Sequence, residues 1–556
     1  VTSEGTTSDA ATSVPLFSVL TPVYDPPAEL LLAAIESVRA QSFDDWELIC
    51  VDDCSSDPAV LEVLRSAAAA DSRIRVIERA VNGHIVAASN DALDLARGTF
   101  VVLLDHDDLL VPDALEQVER VLRGEPEVDY VYSDEDKIDA DGRLYDEFRK
   151  PPFSAETLRG HMYTCHLSVL RTSTVRTAGG FVRGTEGSQD HDLALRVTEL
   201  ARKVVHIPRV LYHWRAHEGS AAGNTEAKPY AWLNGRAAVQ AHLDRTGIAG
   251  SVDLGPGRGT YRVTRRLDQS VRVSVVIPTR GVDALVRGEH RYFVVEAVRS
   301  LLARGGHANV DVVVVHDVET PAQVLDELDA VAGDRLELVP YDREFNFSEK
   351  CNLGVLASYG DVVVLLNDDV EITSDGFLTQ LVAPLAEPGV GMTGANLTLP
   401  TTAVQHAGLA LDDRLTELFP HGARRVVNPG PFLVRSHLRG LVGSHMAVNR
   451  EVSGVTAAAL AIRRSTFDEV GGLSEVFPVN FGDADLSLKV TGAGYRILWI
   501  ADATACHFEA RSRNPVVRAA EVKEFEKRWV LPHFDPFLPD QPRRPALLER
   551  PRVSYQ

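Results

Sequence analysis

ARGTFVVLLDHDD, residues Ala96–Asp108, reads as a glycine stop, an unbroken apolar run and an acidic cluster. It returns at Ser358–Val370 as SYGDVVVLLNDDV. Gly98 and Gly360 stand 262 residues apart, as do Leu104 and Leu366 and, upstream, Asn90 and Asn352. Two further blocks keep the order. FSVLTPVYDP (Phe17–Pro26) pairs with VSVVIPTRGV (Val273–Val282), and VLRTSTVRTAGGF (Val169–Phe181) with AIRRSTFDEVGGL (Ala461–Leu473), the last at an offset of 292. Four blocks in one order mean a duplication, and the change of offset puts 30 extra residues in the second copy.

Outward from that run, each copy alternates strands and helices. Leu30, Leu31, Ala34, Ile35 and Val38 recur at helical spacing after the first strand. WELICVDD (Trp46–Asp53) and DSRIRVIER (Asp71–Arg79) supply the next strands, and NDALDLARG (Asn90–Gly98) reads as a helix closed by Gly98. The expectation is an α/β fold with two tandem Rossmann-like domains, each with a mostly parallel central sheet. The segments are a disordered tail (1–14), a first domain (15–245), a linker (246–270), a second domain (271–538) and a Pro-rich tail (539–556).

A formal charge of −22 repels nucleic acid and anionic lipid, so neither is an expected partner. Five scattered cysteines do not make a disulfide framework and suit a reducing cytosol. No apolar run reaches the ~18 residues of a transmembrane helix. The N-terminal stretch lacks the basic and apolar regions of a secretory signal, so a cytoplasmic location is expected.

Ligands of open α/β sheets bind at the carboxyl ends of the strands. Asp52, Asp53, Asp105 and Asp107 stand there in copy one, and Asp317, Asn367, Asp368 and Asp369 in copy two. A carboxylate ending a buried strand is costly unless a cation offsets it, and oxygen ligands suit Mg²⁺ or Mn²⁺. The alternative is that Asp107 or Asp108 caps the helix near Pro112. Asp190 and Asp192 open an apolar periodic segment in EGSQDHDLALR, as Asp483 and Asp485 do in NFGDADLSLK. Each first acid is a candidate general base, with helix capping again the alternative. His213 follows Asp190 by 23 residues and His507 follows Asp483 by 24. The acids of YSDEDKIDADG line an acceptor site or form a solvated turn; His406 and His421 sit in the extra segment of copy two.

These motifs, in this order and twice over, resemble family-2 glycosyltransferases of the GT-A (nucleotide-diphospho-sugar transferase) fold, in particular the tandem polysaccharide, O-antigen and rhamnosyltransferase-like type. The resemblance implies nucleotide binding by Asp52, Asp53, Asp105, Asp317, Asn367 and Asp368. It implies Mn²⁺ or Mg²⁺ held by Asp107 and His213, and by Asp369 and His507, with Asp190 and Asp483 as catalytic bases. It further implies a UDP- or dTDP-sugar donor, a glycan acceptor that is lipid-linked in some such enzymes, and work at the inner face of the membrane. Inverting transfer would follow, with Asp192 and Asp485 raising the pKa of the bases. Copy two departs from the pattern, since Asn367 replaces an Asp and VVVHDVET lacks the paired Asp; neither copy has the family's Glu before the base, where Gln189 and Gly482 stand. Two other readings remain: one working domain beside a degenerate binding module, or a nucleotidyltransferase on a similar sheet. The second would need a Gly-rich basic loop after the first strand, and TPVYDPPAE has none.

Overall fold

Val-rich runs bounded by proline and glycine bury both faces and become central strands. The computed structural model describes residues 14–216, 229–286, 289–411, 426–427, 447–508, 518–532 and 535–538. Both predicted tails, apart from Val14, and His421 lie outside them. The first domain carries β1 (Phe17–Val23), β2 (Trp46–Asp52), β3 (Ile74–Glu78), β4 (Phe100–Leu103), β5 (Leu109–Leu110), β6 (Val128–Ile138), β7 (Ser168–Arg171) and β8 (Lys203–Arg215). The second carries β9 (Val273–Thr279), β10 (Val310–Asp317), β11 (Leu336–Tyr341), β12 (Val362–Leu366), β13 (Val370–Ile372), β14 (Val390–Thr398), β15 (Ala459–Arg463) and β16 (Arg496–His507). The sheet orders are 3-2-1-4-7-6-8-5 and 11-10-9-12-15-14-16-13, so each strand of one has its counterpart eight numbers on in the other.

Strands β3, β2, β1 and β4 are parallel. The sheet is not parallel throughout: β7 runs antiparallel between β4 and β6, and β5 antiparallel to β8. Each first strand is flanked by its helix as expected; Ala28–Arg39 buries Leu31, Ala34, Ile35 and Val38 against the sheet, and Leu30 lies half-buried.

The residues that betrayed the repeat do the same structural work in both copies. Gly98 N–H donates to Ser18 Oγ and Gly360 N–H to Ser274 Oγ, both at 2.8 Å. A Cβ would lie 2.5 Å from Ser18 N in one copy and 2.6 Å from Ser274 N in the other, so only glycine fits. Asn90 clasps Phe181 through both its backbone groups, and Asn352 clasps Leu473 likewise.

The segment expected as a linker is structured. Gly250–Leu254 pairs with Tyr261–Arg265 as a hairpin, behind the helix Pro229–Thr246. Arg265 ends that hairpin in a buried ion network between the domains. Its guanidinium bonds Glu156 at 2.6 Å and Glu387 at 2.5 Å, and Arg159 bonds the same two acids at 2.9 Å. Arg496 continues it to Glu451 at 2.7 Å.

Candidate active site

The carboxyl ends of β2 and β10 hold the first pair of acids. Val23 lies opposite Asp52 and Thr279 opposite His316, which makes Asp53 and Asp317 structural equivalents. Asp52 accepts the Ser55 N–H and shapes the turn that follows. Asp53 Oδ1 accepts Arg79 Nη1 at 2.5 Å and Gly83 N–H at 2.9 Å. Asp317 meets cations on both oxygens: Lys350 Nζ at 2.6 Å and Arg280 Nε at 3.5 Å.

After β4 the chain turns through Asp105, His106, Asp107 and Asp108. Neither Asp107 nor Asp108 caps the next helix, whose N-cap is Asp113. Asp108 is buried, accepts Tyr212 Oη at 2.6 Å and the Arg215 N–H at 2.7 Å, and its carboxyl is raised well above the usual range by burial and by the charges of Asp105 and Asp107. Among the described residues, Asp105, Asp108 and His166 bring ligand atoms within 4.8 Å of one another. His166 stacks on Tyr212 at 4.7 Å, and burial lowers its pKa to about 3, leaving the neutral imidazole that a metal requires.

In the second domain His507 Nε2 lies 3.1 Å from Asp369 Oδ1, and His507 Nδ1 2.9 Å from Gln405 Oε1. Among the described residues the buried Asn367 Oδ1 has no hydrogen-bond partner. Asp368 accepts Thr279 Oγ1 at 2.7 Å; burial and then the Asp369 charge push its carboxyl up to about 6. The Asp369–His507 pair, two residues along the chain from Asn367, fits a divalent cation by donor type.

His213 and His507 are not equivalent. Leu109 lies opposite His213, whereas Glu371, its counterpart at the repeat offset, lies opposite Cys506. The parallel pairing agrees: Asp136 faces His213 and Thr398 faces Cys506. The counterpart of His507 is therefore Trp214. A one-residue shift along a strand reverses the face, and His213 instead bonds Asp136 at 2.5 Å. The structure does not bring His213 to Asp107 in the way it brings His507 to Asp369. Asp136 belongs to the acidic run, which is a solvated turn only at its end, Asp139–Gly142. Up to Ile138 it is strand β6, where Asp134 bonds His206 at 2.7 Å and Glu135 bonds Lys150 at 2.9 Å. His406 is completely buried.

Asp190 sits in the first turn of the helix Gln189–Leu200 and caps nothing there. It is half-buried, and its carboxylate accepts Gln189 Nε2 at 3.1 Å. Desolvation by the surrounding protein, with the Asp105 charge adding, raises its pKa to about 7. Asp192 has no part in that shift: it is buried against Arg196 at 2.5 Å. Asp483 opens the corresponding helix Gly482–Gly492, preceded by Phe481 in the left-handed region at φ 66°. Asp485 is committed to structure, bonding Ser474 at 2.6 Å, Trp529 at 2.9 Å and Arg528 at 3.2 Å.

Sequence reading passed over Arg79, Lys350, His166 and Tyr212. Strand alternation in VLYHWR would have found Tyr212, since it shares a face with Trp214 and not with His213.

Comparison with known proteins agrees with this architecture. Residues 18–176 and 274–439 both match the family described as glycosyl transferase family 2. The chain is 41% identical to the uncharacterized protein y4gI of Sinorhizobium fredii and 31% identical to the O-antigen biosynthesis protein RfbC of Myxococcus xanthus, over 94% of its own length in each case. It spans 56% and 40% of those longer proteins. A solved structure of S. aureus TarS aligns with 41% of this chain and 40% of its own at 19% identity, with a TM-score of 0.33. Among the described residues no helix is long and apolar enough to cross a membrane. With the family domain matched twice, over most of the chain, this protein belongs to glycosyl transferase family 2.

Proposed function

We propose that the chain is an inverting glycosyltransferase that moves a sugar from a UDP- or dTDP-sugar to a hydroxyl of a growing cell-surface glycan. The observation that supports it most is Asp190. A half-buried carboxyl beside Asp105, with its pKa near 7, is suited to take a proton from an acceptor hydroxyl at neutral pH. Asp53 offers its carboxylate to the nucleobase, and the charge of Asp105 bears on the base Asp190. Mn²⁺ or Mg²⁺, held by Asp105, Asp108 and His166 in the first domain and by Asp369 and His507 in the second, would neutralise charge on the leaving diphosphate. The likeness to an O-antigen biosynthesis protein supports a polysaccharide acceptor. A lipid-linked acceptor would bring the protein to the inner membrane face from the cytoplasm, where nucleotide sugars are made.

A second reading keeps turnover in the first domain alone. Asn367 replaces Asp105 in the second, so Asp483 lacks the neighbouring charge that Asp190 has. The test is transfer from a panel of nucleotide sugars to bacterial surface-glycan acceptors, with Mn²⁺ or with chelator. Asp190→Asn and Asp483→Asn should each remove one transfer; loss in Asp190→Asn alone selects the second reading. Undiminished turnover in both variants would refute the assignment.

A further inference from the structure

In the first domain the cation that holds Asp53 is Arg79, the residue after β3. Strand register gives the second-domain counterpart: Asp52 faces Glu78 and His316 faces Pro340, so Arg79 corresponds to Tyr341. A tyrosine cannot supply that charge. Lys350 supplies it from elsewhere, reaching in from the helix Phe347–Leu356 with its side chain wholly buried. Its Nζ lies 2.6 Å from Asp317 Oδ1, 2.7 Å from Thr279 O and 5.2 Å from the Tyr341 ring centroid. The offset that pairs Asn90 with Asn352 makes Ala88 its counterpart. The same carboxylate–cation pair is thus built from different positions in the two domains.

Burying a lysine costs desolvation and rotamer freedom. A domain that had become inert filler would shed Asp317 more cheaply than acquire a buried partner for it. We propose that the second domain holds a nucleotide site of its own, in which Lys350 takes the place of Arg79 as the cation that holds the base-facing carboxylate. This rests on the reading of the chain as a nucleotide-sugar enzyme. Lys350 is a positioning residue, because its buried ammonium reaches a ligand only through Asp317. The ligand class is a nucleoside diphosphate whose base presents a ring N–H to a carboxylate, as uracil, thymine and guanine do. Arg280, exposed beside the other Asp317 oxygen, is available to the same ligand.

The experiment is calorimetric titration of the full chain with UDP, dTDP and GDP in turn, in the presence of Mn²⁺. At least one nucleotide should bind a site whose Kd rises tenfold or more in Lys350→Met and in Asp317→Asn, and is unchanged in Asp53→Asn. The double variant Lys350→Met/Asp317→Asn should be no weaker than the worse single, because both act through one pair; a pair that merely supports the fold would lower the melting temperature and leave the Kd of the folded protein unchanged. Should either single leave a buried charge that prevents folding, the double removes both charges and is the variant to titrate. If every nucleotide binds all Lys350 and Asp317 variants as it binds wild type, or if only Asp53→Asn abolishes binding, the inference is overturned and the donor reading survives. If wild type binds none of the three, the donor reading falls, and this inference with it.

Discussion

At Asp190 the local physics makes two opposed pH dependences. A general base works deprotonated, so transfer by the first domain should rise with pH through about 7 and level off above it. Stability moves the other way. The carboxyl is raised from an unfolded value of 3.8, so its contribution is fully present below that pH and is lost as pH climbs through about 7. Asp190→Asn should lower first-domain turnover by about 10²–10⁴-fold and flatten both profiles. Initial rates and melting temperatures from pH 5 to 8 read both, and an unshifted rate profile would remove Asp190 from the role. The two histidines give a sharper contrast. His507→Ala should weaken Mn²⁺ binding at the second site tenfold or more, because His507 faces Asp369. His213→Ala should leave first-domain Mn²⁺ affinity within twofold, since His213 faces Asp136. Equal losses in the two variants would mean that the register argument is wrong.

The element that matters most for the second site is the helix Ala519–Arg528. Glu521 on it accepts the backbone N–H groups of Val479 and Asn480 at 2.9 and 2.8 Å, and Phe525 stacks on Phe481 at 5.0 Å between ring centroids. Both contacts brace the left-handed turn that aims Asp483. Glu521→Ala should therefore lower kcat of the second transfer at least tenfold with little change in donor KM, because geometry of the base rather than donor binding is disturbed. A KM effect alone would assign the helix to donor binding. None of this was legible from sequence, which marks the Asp-x-Asp and Asp…His spacings but not what holds them. The strands and the duplication were legible, because Val-rich runs and the glycine at Gly98 and Gly360 answer to strictly local constraints. The face that a residue presents on a long bulged strand is not local. Irregular pairing between β6 and β8 near Ser133–Glu135 and between β14 and β16 near Ala395–Asn396 adds three residues in each copy, so treating the Asp…His counts of 23 and 24 as equal hides a one-residue step along the strand.

Across the whole molecule, three acids and three arginines meet at the junction, all of them buried except Arg496: Glu156, Glu387 and Glu451 with Arg159, Arg265 and Arg496. Such a set is neutral as a whole, and its members depend on one another. Removing Arg265 would leave Glu156 and Glu387 sharing Arg159 out of contact with water. Arg265→Met should therefore cost about 3–5 kcal/mol. Arg262, which also crosses between domains to Asp502 at 2.8 Å, is far more exposed, and Arg262→Ala should cost less than about 1 kcal/mol. Urea midpoints at constant m-value measure both, and a small loss in both would show that the junction is held by apolar packing instead. Acid should act through the same residues. Burial works to raise the Glu156 carboxyl, but Arg265 and Arg159 outweigh it and bring it down to about 2. Its stabilisation is therefore intact above its unfolded value of 4.5 and is lost only as pH falls from there towards 2. In Arg265→Met that acid-side loss should be smaller and be complete nearer pH 4.5, because one of the two guanidiniums that hold the carboxylate ionised is gone.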